Sequence, residues 1–138
     1  MVTVGMADTN CLVLLERLDQ AALPDRLLTS AVSVAELAAG PGLAADPGES
    51  ASRQIRLQQV LRTVETVPFD EDAAMSFASV AASRRRLGRK VAARSLDALI
   101  AATALSRGLT LYTCNPHDFE GIDGLHVVAV PHPDAPAP

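Results

Sequence analysis

Four carboxylates far apart in the chain, Asp8, Glu36, Asp97 and Asp118, stand where short apolar runs and helical segments begin or end. Hard divalent cations such as Mg2+ or Mn2+ are held by one or two carboxylates together with waters and phosphate oxygens. A group of such acids therefore suits hydrolysis of a phosphodiester, in which the cation activates a water and stabilises the leaving oxygen. No His, Cys or Lys nucleophile is needed. Taken singly, each acid has a plainer structural role. Asp8 is placed to cap a helix, and Glu36 falls three residues after Ser33, the spacing of a capping box, which its local sequence favours. Asp118 reads equally as a polar residue of an exposed turn. Asp97 is the most informative, because Leu96–Leu105 is apolar nearly all round. A carboxylate on such a helix is costly unless it is paired or metal-bound. Its alternative is a first-turn charge that favours the helix dipole.

The elements that must position these acids can be read from periodicity and punctuation. Val2–Ala7 is expected to be a buried strand ending at Asp8, with Asp8-Thr9-Asn10 capping a helix over Cys11–Leu18. Leu27–Val32 reads as a second strand. Ser33 opens a helix that stops near Gly40-Pro41-Gly42, and a Pro/Gly-rich loop runs to Ser50. Ser52–Val64 has amphipathic helical spacing. Val67-Pro68-Phe69 reads as a brief edge segment. Asp70 caps a helix that runs into a cluster of arginines and ends at Gly88. Ser95 caps a helix over Leu96–Arg107, Leu109–Thr113 is a strand, Asn115-Pro116 starts a turn, and Leu125–Val130 is the last strand. Strands alternating with helices predict a mainly parallel sheet of four to five strands, covered on both faces as an α/β/α sandwich. In such sheets ligands bind beyond the carboxyl ends of the strands. Asp8, Thr113, Asn115 and Asp118 converge there.

Composition narrows the class. The chain has 138 residues, 49% hydrophobic, and so can bury a core without disulfides. Residues 1–131 are expected to form one domain, and the Pro/Ala-rich tail 132–138 to be disordered. The two cysteines, Cys11 and Cys114, are too few for a disulfide scaffold and lack zinc spacing. The first residues lack the charge pattern of a signal peptide, and no apolar run approaches the roughly 18 residues of a membrane span. A reducing cytoplasm is the expected location. A net charge of −4 argues against a general nucleic-acid coat. Yet six of the twelve basic residues, Arg84, Arg85, Arg86, Arg89, Lys90 and Arg94, share one window. Such a segment can dock RNA phosphates locally, or simply complement a helix C-terminus. The two roles stand level.

The ordered set of motifs resembles the PIN-domain family, and specifically the VapC toxins of toxin–antitoxin modules. The resemblance is carried by Ala7-Asp8-Thr9-Asn10, by Ser33-Val34-Ala35-Glu36-Leu37 with Gly40, by Leu96-Asp97-Ala98-Leu99-Ile100-Ala101-Ala102-Thr103-Ala104, and by Leu111-Tyr112-Thr113-Cys114-Asn115-Pro116-His117-Asp118-Phe119. It implies that Asp8, Glu36 and Asp97 are the core acids, with Asp118 completing the group. Thr9 would be the hydroxyl beside the first acid, and Thr113 and Asn115 would hold the site's shape. It further implies a PIN-like fold, a Mg2+- or Mn2+-dependent endoribonuclease acting on tRNA or ribosomal RNA, a homodimer, and a VapB-like antitoxin that blocks the acidic groove. Two departures stand out: Arg94-Ser95 falls where many relatives carry a further acid, so a second metal would be weaker or substrate-dependent, and the Pro/Gly-rich Gly40–Ser50 loop reads as long. A catalytically weak PIN-like protein-binding module is the alternative. A receiver-like or phosphatase domain using Asp8 is disfavoured, since no acid lies two residues away and no Lys ends a late strand.

Overall fold

Each strand is short and each but the last is followed by a helix or a helical turn, so the sheet is assembled by crossovers. The computed structural model describes residues 1–89 and 95–135. In chain order the elements are β1 (Val4–Ala7), α1 (Thr9–Val13), β2 (Arg26–Ser30), α2 (Ala31–Ala39), α3 (Pro47–Thr63), β3 (Glu65–Val67), α4 (Glu71–Arg86), α5 (Ser95–Ser106), β4 (Thr110–Thr113) and β5 (Val127–Ala129). Single 3-10 turns at Leu15–Arg17, Gln20–Ala22, Pro41–Leu43 and Pro116–Phe119 join them. The five strands lie in the order β3-β2-β1-β4-β5, and each neighbouring pair is parallel. The expected α/β/α sandwich with a parallel sheet is therefore the observed one.

Side-chain alternation sends the sheet's two faces into two cores. Met6 is in register with Leu28 and Leu111, and all three join Val80 of α4 and Ala98 and Ala101 of α5 in one buried cluster. On the other face Ala7 packs with Cys11, Leu12, Leu37 and Val60, drawn from α1, α2 and α3. Burying a side chain such as Leu111 or Ile100, both fully buried, contributes about 1.5–3 kcal/mol. The small side chains of α5 (Ala98, Ala101, Ala102 and Ala104, all fully buried) let that helix lie close against α4 and the sheet.

The structure moves several boundaries. The helix expected over Cys11–Leu18 is a short α1 that stops at Val13, followed by the 3-10 turn. The second strand ends at Ser30 rather than Val32, because Ser30 and not Ser33 caps α2: its side chain accepts from the Ser33 amide. The Gly42–Ser50 loop is shorter than expected, since Asp46 caps α3 and Pro47 occupies its first turn, where its fixed φ and missing N–H cost nothing. The last strand is trimmed to Val127–Ala129. Gly88, at φ +74°, follows α4 as the spacing predicted. His132–Ala135 form a turn in which Asp134 pairs with Arg17; residues 136–138 lie outside the described residues.

Candidate active site

The chain leaves β1 to build one side of the sheet and returns to lay β4 on the other side. The crevice beyond the ends of β1 and β4 is thus the topological switch point, the place where open α/β sheets bind ligands. Asp8 is the first residue after β1. It is 4% exposed and caps α1, with Oδ1 accepting from the Cys11 amide at 2.9 Å. Its Oδ2 accepts from the Thr113 hydroxyl at 2.6 Å, across the switch point from the end of β4. Thr113 Oγ1 in turn accepts from the Asn115 amide at 2.9 Å. Thr113 and Asn115 are therefore joined to Asp8 in one hydrogen-bonded row, Asn115 through its backbone.

Glu36 lies in the second turn of α2, half-buried. Because Ser30 caps that helix, the capping role that local sequence favoured for Glu36 is overturned. Glu36 Oε1 instead accepts from Thr9 Oγ1 at 2.7 Å, and Thr9 Oγ1 lies 3.0 Å from Ser33 Oγ. Thr9 and Glu36 border a cavity of about 220 Å3 whose wall also carries Arg53 and Arg56. Arg53 is engaged with the Gly40 carbonyl and Glu49.

Asp97 is half-buried in the first turn of α5. Gly108, at φ +63°, turns the chain back at the far end of α5, and the Leu109 amide donates to the Ala104 carbonyl at 2.9 Å. Because β4 starts directly after that reversal, α5 runs against the strand direction. The N-terminus of α5, with Asp97, comes to the rim where β4 ends. Asp118 sits half-buried in the turn after β4, near enough to Asp8 to act on it electrostatically.

Burial is the chief influence on Asp8 and pushes its pKa upward. The hydrogen bonds from Thr113 and Cys11 oppose that push, and the Asp118 charge adds a smaller rise. Burial likewise raises the Cys11 and Cys114 thiols, whose sulfurs lie 3.8 Å apart. The donors around the crevice are carboxylate and hydroxyl oxygens, and Asp8 is a desolvated carboxylate that a cation would stabilise. That chemistry fits a hard divalent ion. Among the described residues, no three His, Cys, Asp or Glu side chains stand close enough to hold one between them. The acids ring the crevice without closing on a point.

The arginine window divides. Arg84 is 2% exposed and donates to the Asp118 carbonyl at 3.3 Å, so it is a core residue and offers no surface to RNA. Its burial follows the helical row Ala73, Phe77, Val80, Arg84 on the inner side of α4, a periodicity that was available in the sequence. Arg86 pairs with Asp123, and Arg89 donates to the His117 carbonyl at 2.9 Å. These three arginines fasten the end of α4 to the segment that carries Asp118. Arg85 is exposed; Lys90 and Arg94 lie outside the described residues.

Residues 6–125 match the family model for the PIN domain, and the chain belongs to that family. Its relatives there are VapC proteins. The chain is 37% identical to Ribonuclease VapC5 of Mycobacterium tuberculosis over 129 residues, covering 91% of this chain and 93% of the relative. It is 34% identical to Ribonuclease VapC8 of the same species over 106 residues, 75% of this chain and 92% of the relative. Among solved structures it is similar to VapBC-5 of Mycobacterium tuberculosis, a member of the VapBC family of toxin–antitoxin systems. The TM-score is 0.81 at 34% identity, covering 93% of this chain and 99% of that chain.

Proposed function

We propose that this protein is a divalent-metal-dependent endoribonuclease, the toxin of a toxin–antitoxin pair, which hydrolyses phosphodiester bonds in tRNA or ribosomal RNA. The observation that carries this is Asp8, a nearly buried carboxylate at the switch point, cross-braced by Thr113 with Asp118 within electrostatic reach. The kinship with ribonucleases of the VapC group supports the same activity. Asp8, Glu36, Asp97 and Asp118 would hold Mg2+ or Mn2+. Such an ion, when bound, lowers the pKa of a water and stabilises the leaving oxygen of a phosphodiester. The chain's own part is to keep the oxygens aimed at the crevice. Thr113 orients Asp8, Thr9 orients Glu36, and burial keeps bulk water from the inner side of Asp8. Arg85, Lys90 and Arg94 supply positive charge for RNA phosphates. The kinship with a VapBC toxin–antitoxin structure supports a VapB-like antitoxin as partner, and the toxin is proposed to act as a homodimer. Among the described residues no helix is long and apolar enough to cross a membrane, and the proposed place of action is the cytoplasm.

The open ring of acids leaves one competing function, a catalytically weak module that only binds a partner protein. Purified protein free of any partner, incubated with total RNA and Mg2+ or Mn2+, decides between them. Discrete cleavage products are expected, lost in EDTA and in Asp8→Asn and Asp97→Asn. A wild-type protein that cuts nothing while still binding its partner sinks the enzymatic assignment.

A further inference from the structure

Three hydroxyl oxygens lie in a row behind Glu36. The Ser33 amide donates to Ser30 Oγ at 3.0 Å, and Ser30 Oγ donates to Ser33 Oγ at 3.3 Å. Ser33 Oγ lies 3.0 Å from Thr9 Oγ1, which donates to Glu36 Oε1 at 2.7 Å. Each hydroxyl owns a single proton, and an ionised carboxylate can only accept. The Thr9 proton is therefore committed to Glu36, so the Thr9 oxygen must accept from Ser33. Ser33, its own proton spent, accepts from Ser30, whose oxygen is already fixed by a backbone amide. Every proton in the row points toward the carboxylate. Ser30 and Ser33 are both 0% exposed, so the inner half of the row is shielded from water. Hydrogen bonds aligned in a low-dielectric interior polarise one another. Among the described residues Glu36 Oε2 makes no hydrogen bond.

We propose that Ser33 is a positioning residue. Through Thr9 it pins Oε1 of Glu36 and so presents Oε2 to a divalent cation. The proposal rests on the metal-dependent endoribonuclease function and deepens it. A purely structural Ser33 would pack inside α2 and have no effect that depends on Thr9.

The test compares wild type with Ser33→Ala, Ser33→Cys, Ser33→Thr, Thr9→Val and the Ser33→Ala/Thr9→Val double variant. Mn2+ affinity is read from the paramagnetic resonance of free Mn2+, kcat and KM from RNA cleavage, and integrity from Tm. Loss of one buried hydrogen bond predicts that Ser33→Ala weakens Mn2+ binding about three- to tenfold. A comparable fall in kcat is expected at unchanged KM. Ser33→Thr, which keeps the hydroxyl, recovers most of both. Because Ser33 acts through Thr9, the double variant is expected to be no worse than Thr9→Val alone. Additive losses in the double variant, or a Ser33→Ala protein equal to wild type, overturn the proposal. If Ser33→Ala does not fold, Ser33→Cys, which preserves the packing and weakens the donor, is expected to show the same loss of Mn2+ affinity, and wild-type affinity in it overturns the proposal. A wild type that binds Mn2+ but cuts no RNA removes the nuclease function, while the Mn2+ titrations still decide the role of Ser33. A wild type that binds no Mn2+ overturns both.

Discussion

Taking a carboxylate out of water disfavours its charged form, and a hydrogen bond from a hydroxyl or an amide only partly restores it. Asp8 stands under both influences, and burial prevails, so its pKa is raised. For a group whose pKa is higher folded than unfolded, the linked stability is fully present below the unfolded pKa. It is lost as pH rises through the folded one. In EDTA the Asp8 contribution to Tm, read as the difference between wild type and Asp8→Asn, is therefore expected to fall as pH rises from about 4, the ordinary carboxylate range. Asp8→Asn should keep the cap on the Cys11 amide, and match or exceed the wild-type Tm at neutral pH while abolishing RNA cleavage. Thermal scans across pH in metal-free buffer check this; a variant several degrees less stable at neutral pH contradicts it. At this scale the sequence was informative about which residue types matter and poor about what they touch. Asp8 and Asp97 could be singled out from a strand end and an apolar helix. Contacts such as Thr113 to Asp8, 105 residues apart, and Thr9 to Glu36, 27 apart, leave no local pattern.

Among the elements, β1 is the narrowest constraint. A Cβ added at Gly5 would stand 2.3 Å from Tyr112 Cε1, so the glycine is what allows the Tyr112 ring to lie across the strand. Tyr112 immediately precedes Thr113, which braces Asp8. Gly5→Val is thus expected to destabilise the protein by about 1–3 kcal/mol through overpacking and to lower activity with it. Adding Tyr112→Ala should return part of the stability, as denaturant titration of the single and double variants would show. No recovery would mean that the strain lies elsewhere. Element types were legible because periodicity and caps are local. Boundaries were less so, and the α2 start shows why: Ser30 and Ser33 are both good capping residues. Only the end of β2 at Ser30, where it pairs with β3, selects the first. Arg84 went astray differently. Its charge suggested solvent, whereas its place in the helical row of α4 put it inside.

For the molecule as a whole, the strand order concentrates the acids although the sequence scatters them. The parallel sandwich follows from the alternation of elements. The position of β1 at its centre does not, because strand order depends on which crossovers pack best and not on any one segment. That centre has a measurable signature. The Asp8 amide donates to the Tyr112 carbonyl at 3.2 Å, and β1 is flanked on both sides by paired strands. Amides of Met6, Ala7 and Asp8 are expected to exchange only through global unfolding, with free energies equal to that from denaturant, while those of the Leu15–Arg17 turn exchange faster by local opening. Rapid exchange at Asp8 would refute this.

If Asp8 is the catalytic acid proposed above, its seat at the end of the innermost strand means that no fraying loop can switch it off, because only loss of the whole domain releases it. The place of Asp8 is set once the chain has folded. Silence must then be imposed from outside, by something that occupies the crevice, and it lasts only as long as the occupant survives.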